Sequence, residues 1–387
     1  MSQDLNSLDD ESFRRTVRAF FAEHYPEELR FPKQRLRWAE VKPWFMALSK
    51  KGWAAPGWPV QYGGMGLDPA KLIAFIEEQE KWGVARTPDM GLTMVGPLLI
   101  RHGTEAQRAQ YLPRILAGEH IWAQGYSEPN AGSDLASLRT EAVEDGSDFI
   151  VNGQKTWATL AQDATHIFLL ARTEKSAKKQ EGISFLLVDA ASPGISVRPI
   201  RNIAGGEDFC EIFFENVRVP QANLVGERNG GWKIAKALLT FERIFLGSPK
   251  QSQYALARVR EACVLLGMER DAGVQDRLTQ LELDAADLSA LYGRFVQQVK
   301  RGEALGPDVS MLKLWGTETF SRIADLLLDI TGTAGGLPGD IPARRGDSEE
   351  AINVLTSFYN ARPATIYGGS SEVQRNILAG QVLSLPN

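Results

Sequence analysis

Cysteine is nearly absent from this chain of 387 residues. Cys210 and Cys263 are the only two, and neither stands at metal-ligand spacing to a histidine, so both read as reduced, buried small hydrophobes of a cytosolic protein. Histidine is scarce as well. His24, His102, His120 and His166 form no H-x-x-E-H or H-E-x-x-H arrangement, which argues against a zinc enzyme. Apolar runs are short, and none approaches the roughly 20 residues that a membrane span requires. The polar, acidic start M-S-Q-D-L-N-S-L-D-D-E is unlike a secretory signal, so a cytoplasmic location is expected. A formal net charge of -5 without a Lys/Arg block excludes nucleic acid as the main partner.

What is present is the composition of an ordinary globular protein, 43% hydrophobic and 24% charged, in a chain long enough for two or three domains. Up to about His120 the periodicity is helical. Phe13, Val17, Phe20 and Phe21 follow a cap at Asp9 or Asp10; Leu72, Phe75, Ile76 and Gln79 repeat the pattern after Pro69; Thr104 to Gln107 is a capping box. The glycine- and tryptophan-rich stretch from Trp53 to Gly66 reads as a loop packed between helices. Near Ile121 the period becomes alternating. A hairpin is expected with Asn152-Gly153 at its turn, followed by strands over Ile167 to Ala171, Ile183 to Val188, Ile195 to Pro199 and Cys210 to Val219. After Gly230-Gly231 amphipathic helices are expected over Trp232 to Leu266, Val274 to Val299, Asp308 to Ile330 and Glu349 to Tyr359. The expected fold is therefore mainly α with a central β domain: an N-terminal helical domain over 1–120, a middle antiparallel β-barrel over 121–231 and a C-terminal four-helix bundle over 232–387.

Three motifs punctuate this plan. The first is Tyr126-Ser127-Glu128-Pro129-Asn130-Ala131-Gly132-Ser133-Asp134. The second is Asn152-Gly153-Gln154-Lys155-Thr156-Trp157-Ala158-Thr159, in which Trp157 and Thr159, two apart on a strand, face one side. The third is Thr365 to Ala379, T-I-Y-G-G-S-S-E-V-Q-R-N-I-L-A, where Gly368 and Gly369 admit a close backbone approach and Ser370 and Ser371 can cap a helix starting at Glu372. Singly, each has an ordinary structural reading: a turn before a helix, or a tryptophan in a barrel core. Together, in this order and spacing, they resemble the acyl-CoA dehydrogenase family over essentially the whole chain.

That resemblance implies FAD as cofactor and removal of an α-proton and a β-hydride from an acyl-CoA thioester, giving the trans-2-enoyl-CoA. It implies that Ser127 and Thr159 bond the flavin pyrimidine edge and N5 region and that Trp157 packs on the isoalloxazine. Tyr126, Gly132, Ser133, Tyr367, Ser370 and Glu372 complete the cofactor-binding set. An α-proton beside a thioester is only weakly acidic, so the base must be a desolvated carboxylate and the enolate oxygen must meet hydrogen-bond donors. Many family members carry the base directly after the tyrosine of the third motif, where this chain has Gly368. Others, acting on long or branched acyl chains, place it on the first long bundle helix in an L-x-x-E-R-like sequence. Here Leu238, Glu242 and Phe245 fall at i, i+4 and i+7, which sets Glu242 on an apolar stripe. The expectation is that Glu242 is the base, that the Gly368 N–H and a flavin ribityl hydroxyl hold the thioester oxygen, and that Arg243 and Ser133 lie near the CoA portion. A long, branched or ring-bearing acyl group suits this arrangement.

The implied electron acceptor is an electron-transferring flavoprotein, and the implied assembly a tetramer. Yet where the family carries R-x-x-F-G the chain reads Glu269-Arg270-Asp271-Ala272-Gly273-Val274-Gln275, and where it carries a glutamine before Gly-Gly the chain reads Thr331-Gly332-Thr333-Ala334-Gly335-Gly336. Both segments reach a neighbouring subunit's FAD in the family. A hetero-oligomer with a paralogous subunit is therefore an alternative, as is a non-catalytic or half-site subunit; a flavin monooxygenase or oxidase on the same fold is a minor one.

Overall fold

Helix caps and buried aromatic stripes build the first hundred residues as the periodicity predicts. The computed structural model describes residues 4–32, 35–85, 90–176, 178–236, 238, 247–337, 341–345 and 348–386, which divide into two compact units, Met1–Leu238 and Leu239–Asn387. In the first, α1 (Asp10–His24) starts at Asp9, whose carboxylate accepts from Ser12 N, and buries Phe13, Val17, Phe20 and Phe21. α2 (Trp38–Lys51), α3 (Pro69–Trp82), α4 (Gly96–His102) and α5 (Glu105–Leu116) follow, the last opened by the Thr104/Gln107 capping box.

One face differs from expectation. α3 buries Lys71, Ile73, Ala74, Phe75 and Glu78, so its inner stripe is rotated from the apolar one at Leu72, Ile76 and Gln79. Charge compensation makes this possible. Lys71 Nζ lies over the Phe13 ring at 5.1 Å, and Glu78 accepts from Arg14 and Arg18 at 2.9 and 2.6 Å.

Next comes one eight-stranded sheet: β1 (Trp122–Gly125), β2 (Glu141–Asp145), β3 (Asp148–Thr159), β4 (His166–Arg172), β5 (Ile183–Asp189), β6 (Ile195–Ile200), β7 (Phe209–Pro220) and β8 (Leu224–Val225). The order is β6-β7-β3-β2-β4-β5-β8, antiparallel except that β1 and β2 each run parallel to β4. The central runs of β4 and β5, residues 167–171 and 185–188, are apolar at every position, as strands covered on both faces require. Phe168, Leu170, Phe185 and Leu187 pack with Leu98, Leu99, Tyr111 and Ile115 of the helices, whereas Ile167, Leu169, Leu186 and Val188 pack with Val151, Ile212 and Val217.

The expected turn at Asn152-Gly153 is not a turn. β3 runs straight through it, and the hairpin closes at Gly146-Ser147, with Asp145 opposite Asp148 and Gly146 at φ 64°. Asn152-Gly153 is instead an irregularity against β7, where Asn152 exchanges hydrogen bonds with Asn216 at φ 51°. Glycine is required there by proximity. A Cβ on Gly153 would stand 2.7 Å from the Thr140 Cα.

In the second unit α6 (Lys250–Leu265), α7 (Ala272–Lys300), α8 (Ser310–Gly335), α9 (Leu355–Ala364) and α10 (Ser371–Ile377) assemble around α8, which buries Leu312, Ile323, Leu326, Leu327 and Ile330. Part of the helix expected over Trp232 to Leu266 lies outside the described residues. The helix expected from Glu349 is displaced: Ser348–Ile352 (β10) pairs antiparallel with Ile341–Arg345 (β9), and α9 begins only at Leu355. Both cysteines are free and buried, and no helix of the described residues is long and apolar enough to cross a membrane.

Two histidines meet inside the first unit. The His120 and His166 rings lie 3.8 Å apart between centroids, tilted by 34°, beside Trp122 and Tyr111. Burial and then the neighbouring His120 push His166 down to about 4, with Asp189 opposing and Arg114 adding to the fall. The folded pKa lies below the unfolded one, so between about pH 6.5 and 4 the unfolded chain takes up a proton that the fold refuses, and stability falls with pH there. His166→Phe is expected to flatten that acid limb in urea unfolding measured across the interval; an unchanged limb would place the acid sensitivity elsewhere.

Candidate active site

Glu128 of the first motif and Lys155 of the second meet in the interior of the first unit. Lys155 is fully buried and Glu128 is 8% exposed. Lys155 Nζ donates to Glu128 Oε1 at 2.8 Å and to the Tyr126 carbonyl at 3.0 Å, while the Glu128 carboxylate also accepts from Arg139 N at 2.7 Å and Thr140 N at 2.8 Å. Burial pushes the Lys155 ammonium down to about 8 against the pull of Glu128. Burial would raise the Glu128 carboxyl, but Lys155 and the surrounding donors hold it below the ordinary carboxylate range. Each group favours the charged form of the other.

This pair fixes the first group of predicted residues. Thr156 N donates to the Ser127 carbonyl at 2.9 Å, so the Tyr126-Ser127 segment is stitched to β3 beside Lys155. Glu128 and Ala131 exchange backbone bonds across a tight turn, and the segment carrying Gly132 and Ser133, both exposed, returns to the Glu128 carboxylate at Arg139. Ser127 and Thr159 are half-buried. The Tyr126 ring sits edge-on to Phe168 and Phe185 in the core, so any cofactor contact from this residue falls to its backbone.

Trp157 is not a core tryptophan. It is 59% exposed, at φ 61°, where the pairing of β3 with β7 slips between Lys155 and Ala158. Three residues on, Leu160 is also left-handed at φ 48°. The same-side relation of Trp157 and Thr159 therefore does not follow from an unbroken pleat, although burial does alternate exposed, buried, half-buried over 157–159. Two bulky residues held at positive φ within four positions are costly, and such strain concentrates at ligand sites. An indole held in the open at that point, touching Phe209 edge-on, fits a flat aromatic cofactor ring.

In the second unit the third motif forms a turn between α9 and α10. Gly368 is at φ 64° and Gly369 at φ 86°. Ser370 is the N-cap, its side chain accepting from Val373 N, and the helix starts at Ser371, one residue earlier than expected. Tyr367 is 43% exposed. Glu372 is exposed, and its own backbone N–H and then the Ser370 hydroxyl lower its pKa. Among the described residues, the N–H groups of Gly368, Gly369 and Ser370 donate to no acceptor, whereas those of Ile366 and Tyr367 reach the Pro363 carbonyl and that of Ser371 the Thr365 carbonyl. Three successive undonated amides suit ligand oxygens. Glu242 and Arg243 lie outside the described residues.

Sequence reasoning passed over Glu128, Lys155, Gln374 and Lys313. The first two had a signal in the motifs themselves, since a lysine inside a strand that is otherwise core requires a counter-charge. Gln374, fully buried, donates to the Gly368 and Gly369 carbonyls. Lys313 on α8 is fully buried without a hydrogen-bond partner among the described residues, and burial pushes it down to about 8.

Three family models describing the acyl-CoA dehydrogenase N-terminal, middle and C-terminal domains match residues 7–119, 123–217 and 229–383. The chain is 36% identical to the acyl-CoA dehydrogenase IpdE1 of Mycobacterium tuberculosis, with 98% of each chain covered. It is similar in structure to the Tcur3481-Tcur3483 steroid ACAD, at a TM-score of 0.86 and 31% identity over 98% of each chain. It is also similar to the ChsE4-ChsE5 complex of Mycobacterium tuberculosis, at 0.80 and 34% over 98% of each chain.

Replacing Lys155 by Met should leave the Glu128 carboxylate buried against two backbone amides alone, at a cost of about 3–5 kcal/mol in chemical denaturation. Adding Glu128→Gln should recover part of it. A loss below about 1 kcal/mol, the range of exposed pairs, would mean that the pair does not hold the two motifs together.

Proposed function

The chain belongs to the acyl-CoA dehydrogenase family, and from that premise we propose that it converts a branched or ring-bearing acyl-CoA thioester to its trans-2-enoyl product, with Glu242 as the base. Members of the family are FAD-dependent oxidoreductases. When bound, FAD supplies the acceptor for the hydride lost from the substrate's β-carbon.

The chain's own residues do the rest. Ser127, Trp157 and Thr159, with the backbone at Tyr126 and the loop at Gly132 and Ser133, are the cofactor-binding set of the first unit, and Tyr367, Ser370 and Glu372 that of the second. Glu242, on the apolar stripe with Leu238 and Phe245, takes the α-proton; desolvation raises a carboxyl pKa and so suits a base working near neutral pH. The Gly368 N–H holds the thioester oxygen as negative charge develops on it. Arg243 and Ser133 attend the CoA portion.

The observation that carries this reading is the turn at Gly368. It offers an undonated backbone N–H at φ 64° and no carboxylate, so the base must stand elsewhere, and Glu242 is the acidic residue in an L-x-x-E-R-like setting. A larger acyl group gains room beside a glycine, and a structural relative described as a steroid ACAD supports a ring-bearing one. The electron acceptor in this reading is an electron-transferring flavoprotein.

A second reading concerns assembly. At the two segments where FAD contacts to a neighbouring subunit are expected, Asp271 serves as the N-cap of α7 and Gly332, at φ 55° and ψ -140°, interrupts α8, so these places present a cap and bare backbone. A paralogous subunit would supply what they lack, in line with relatives solved as complexes of two differently named chains. Ser127, Trp157, Thr159 and Glu242, all retained, favour a catalytic subunit over an inert one.

In single-turnover assays across straight, branched and ring-bearing acyl-CoA thioesters, flavin reduction should be fastest with the bulky acyl groups. Glu242→Gln should abolish it with FAD and acyl-CoA still bound; activity within a few-fold of wild type would rule Glu242 out as the base. Purified alone, the chain should bind less than one FAD per subunit, and co-expression with a paralogous partner should restore it. Full occupancy without a partner would end the hetero-oligomer reading.

A further inference from the structure

Gln374 lies behind the Gly368-Gly369 turn, fully buried on α10. Its Nε2 donates to the Gly368 carbonyl at 3.1 Å and to the Gly369 carbonyl at 3.3 Å. The amide orientation follows from chemistry, because exchanging oxygen and nitrogen would set an acceptor against two carbonyls. Gly369 accommodates this contact. A Cβ there would stand 2.5 Å from Gln374 Nε2, and its φ of 86° disfavours any side chain.

All peptide bonds in the described residues are trans, and in a trans peptide the carbonyl and the next residue's N–H point in opposite directions. Fastening the carbonyls of Gly368 and Gly369 towards Gln374 therefore turns the N–H groups of Gly369 and Ser370 away from it. With the following peptide fixed, the Gly368 φ of 64° sets the direction of its own N–H. These are the three amides that donate to no described acceptor. A two-glycine turn would otherwise be pliable.

We propose that Gln374 is a positioning residue that holds the Gly368, Gly369 and Ser370 N–H groups as a preformed donor set, so that the thioester oxygen meets the Gly368 N–H without rearrangement of the turn. The inference rests on the acyl-CoA dehydrogenase reading and deepens it. A donor fixed before the reaction contributes most to stabilising the developing charge, and removing an oxyanion donor costs about 10²–10³ in rate. Loosening one is expected to cost somewhat less.

The test uses the FAD-loaded protein, with its partner subunit if it needs one, as Gln374→Met and Gln374→Glu. The Met variant should retain its FAD and bind acyl-CoA within about threefold of wild type, yet reduce flavin about 10- to 100-fold more slowly. The infrared stretch of an isotope-labelled thioester carbonyl in the complex should move back towards its frequency in water. The Glu variant should be as slow near neutral pH, and its rate relative to wild type at the same pH should recover as pH falls towards about 5, because a neutral carboxyl regains one donor for a glycine carbonyl. A residue that merely stabilised the fold would lower the melting temperature and leave both the carbonyl frequency and the pH profile as in wild type; that result, or a Met variant within about threefold of wild-type rate, would overturn the proposal. Should the Met variant fail to fold, the pH profile of the Glu variant decides alone. If the wild type itself neither reduces nor shifts the carbonyl with any acyl-CoA, the acyl-CoA reading is what fails. The clamp would then stand or fall on whether Gln374→Met displaces the turn in a crystal structure.

Discussion

A buried ion pair, Lys155 with Glu128, is the contact on which the first unit's site depends. Taking two charges out of water costs several kcal/mol for each ion, and attraction offsets that only where the remaining hydrogen-bond valences are filled. Here backbone supplies three further partners: the Tyr126 carbonyl on the lysine, and the Arg139 and Thr140 amides on the carboxylate. An apolar pair of the same volume could pack that interior as firmly. It could not, however, hold a carbonyl from one segment and two amides from another in fixed directions. The pair therefore sets geometry more than stability. Ser127 is bonded to Thr156, and Trp157 is the next residue, so the pair's position reaches the exposed indole within two residues.

The two units hold the backbone of their candidate site segments by different means. In the first, side-chain-bearing residues, Trp157 and Leu160, are held at positive φ, Trp157 by paired strand on either side and Leu160 at the end of β3 by its N–H bond to the Asp208 carbonyl. In the second, glycines take the positive φ values at no steric cost, and the freedom that glycine brings is removed by the neutral amide of Gln374. A strained tryptophan suits a surface that must stay open for a rigid ring. An unstrained, clamped turn suits donors that must sit at hydrogen-bond distance from an oxygen atom, where a small displacement has a large effect on rate.

Much of the fold was legible because local and tertiary preferences agree. Asp9, the Thr104/Gln107 box and Ser370 cap the helices they announce, and the apolar runs of β4 and β5 are buried on both faces as such runs require. The misreadings share one cause, a tertiary partner invisible in the local pattern. Asn152-Gly153 has hairpin chemistry, but Asn216 across the sheet uses the asparagine and Thr140 needs the missing Cβ. Lys71 and Glu78 belong by type on the outside of α3 and are admitted by Phe13, Arg14 and Arg18. Likewise the site motifs could be read as strings, whereas the pairing of Lys155 with Glu128, and of Gln374 with two carbonyls, could not, since each joins positions whose proximity the fold creates.

Glycine at position 368 reconciles two demands that a single residue meets poorly. At φ 64° an L side chain crowds the neighbouring carbonyl, at roughly 1–2 kcal/mol, so a base carried there would bring strain to the residue whose N–H must be placed most accurately. With glycine the turn is relaxed, its carbonyls are free to be drawn towards Gln374, and its amides face the other way. A base placed elsewhere in the chain, as proposed for Glu242, would leave these donors undisturbed. Separating base from donor in this way also removes a side chain from the turn. In the proposed mechanism, glycine in place of a carboxylate would thus make the loop a better-defined donor and leave more space beside the acyl group.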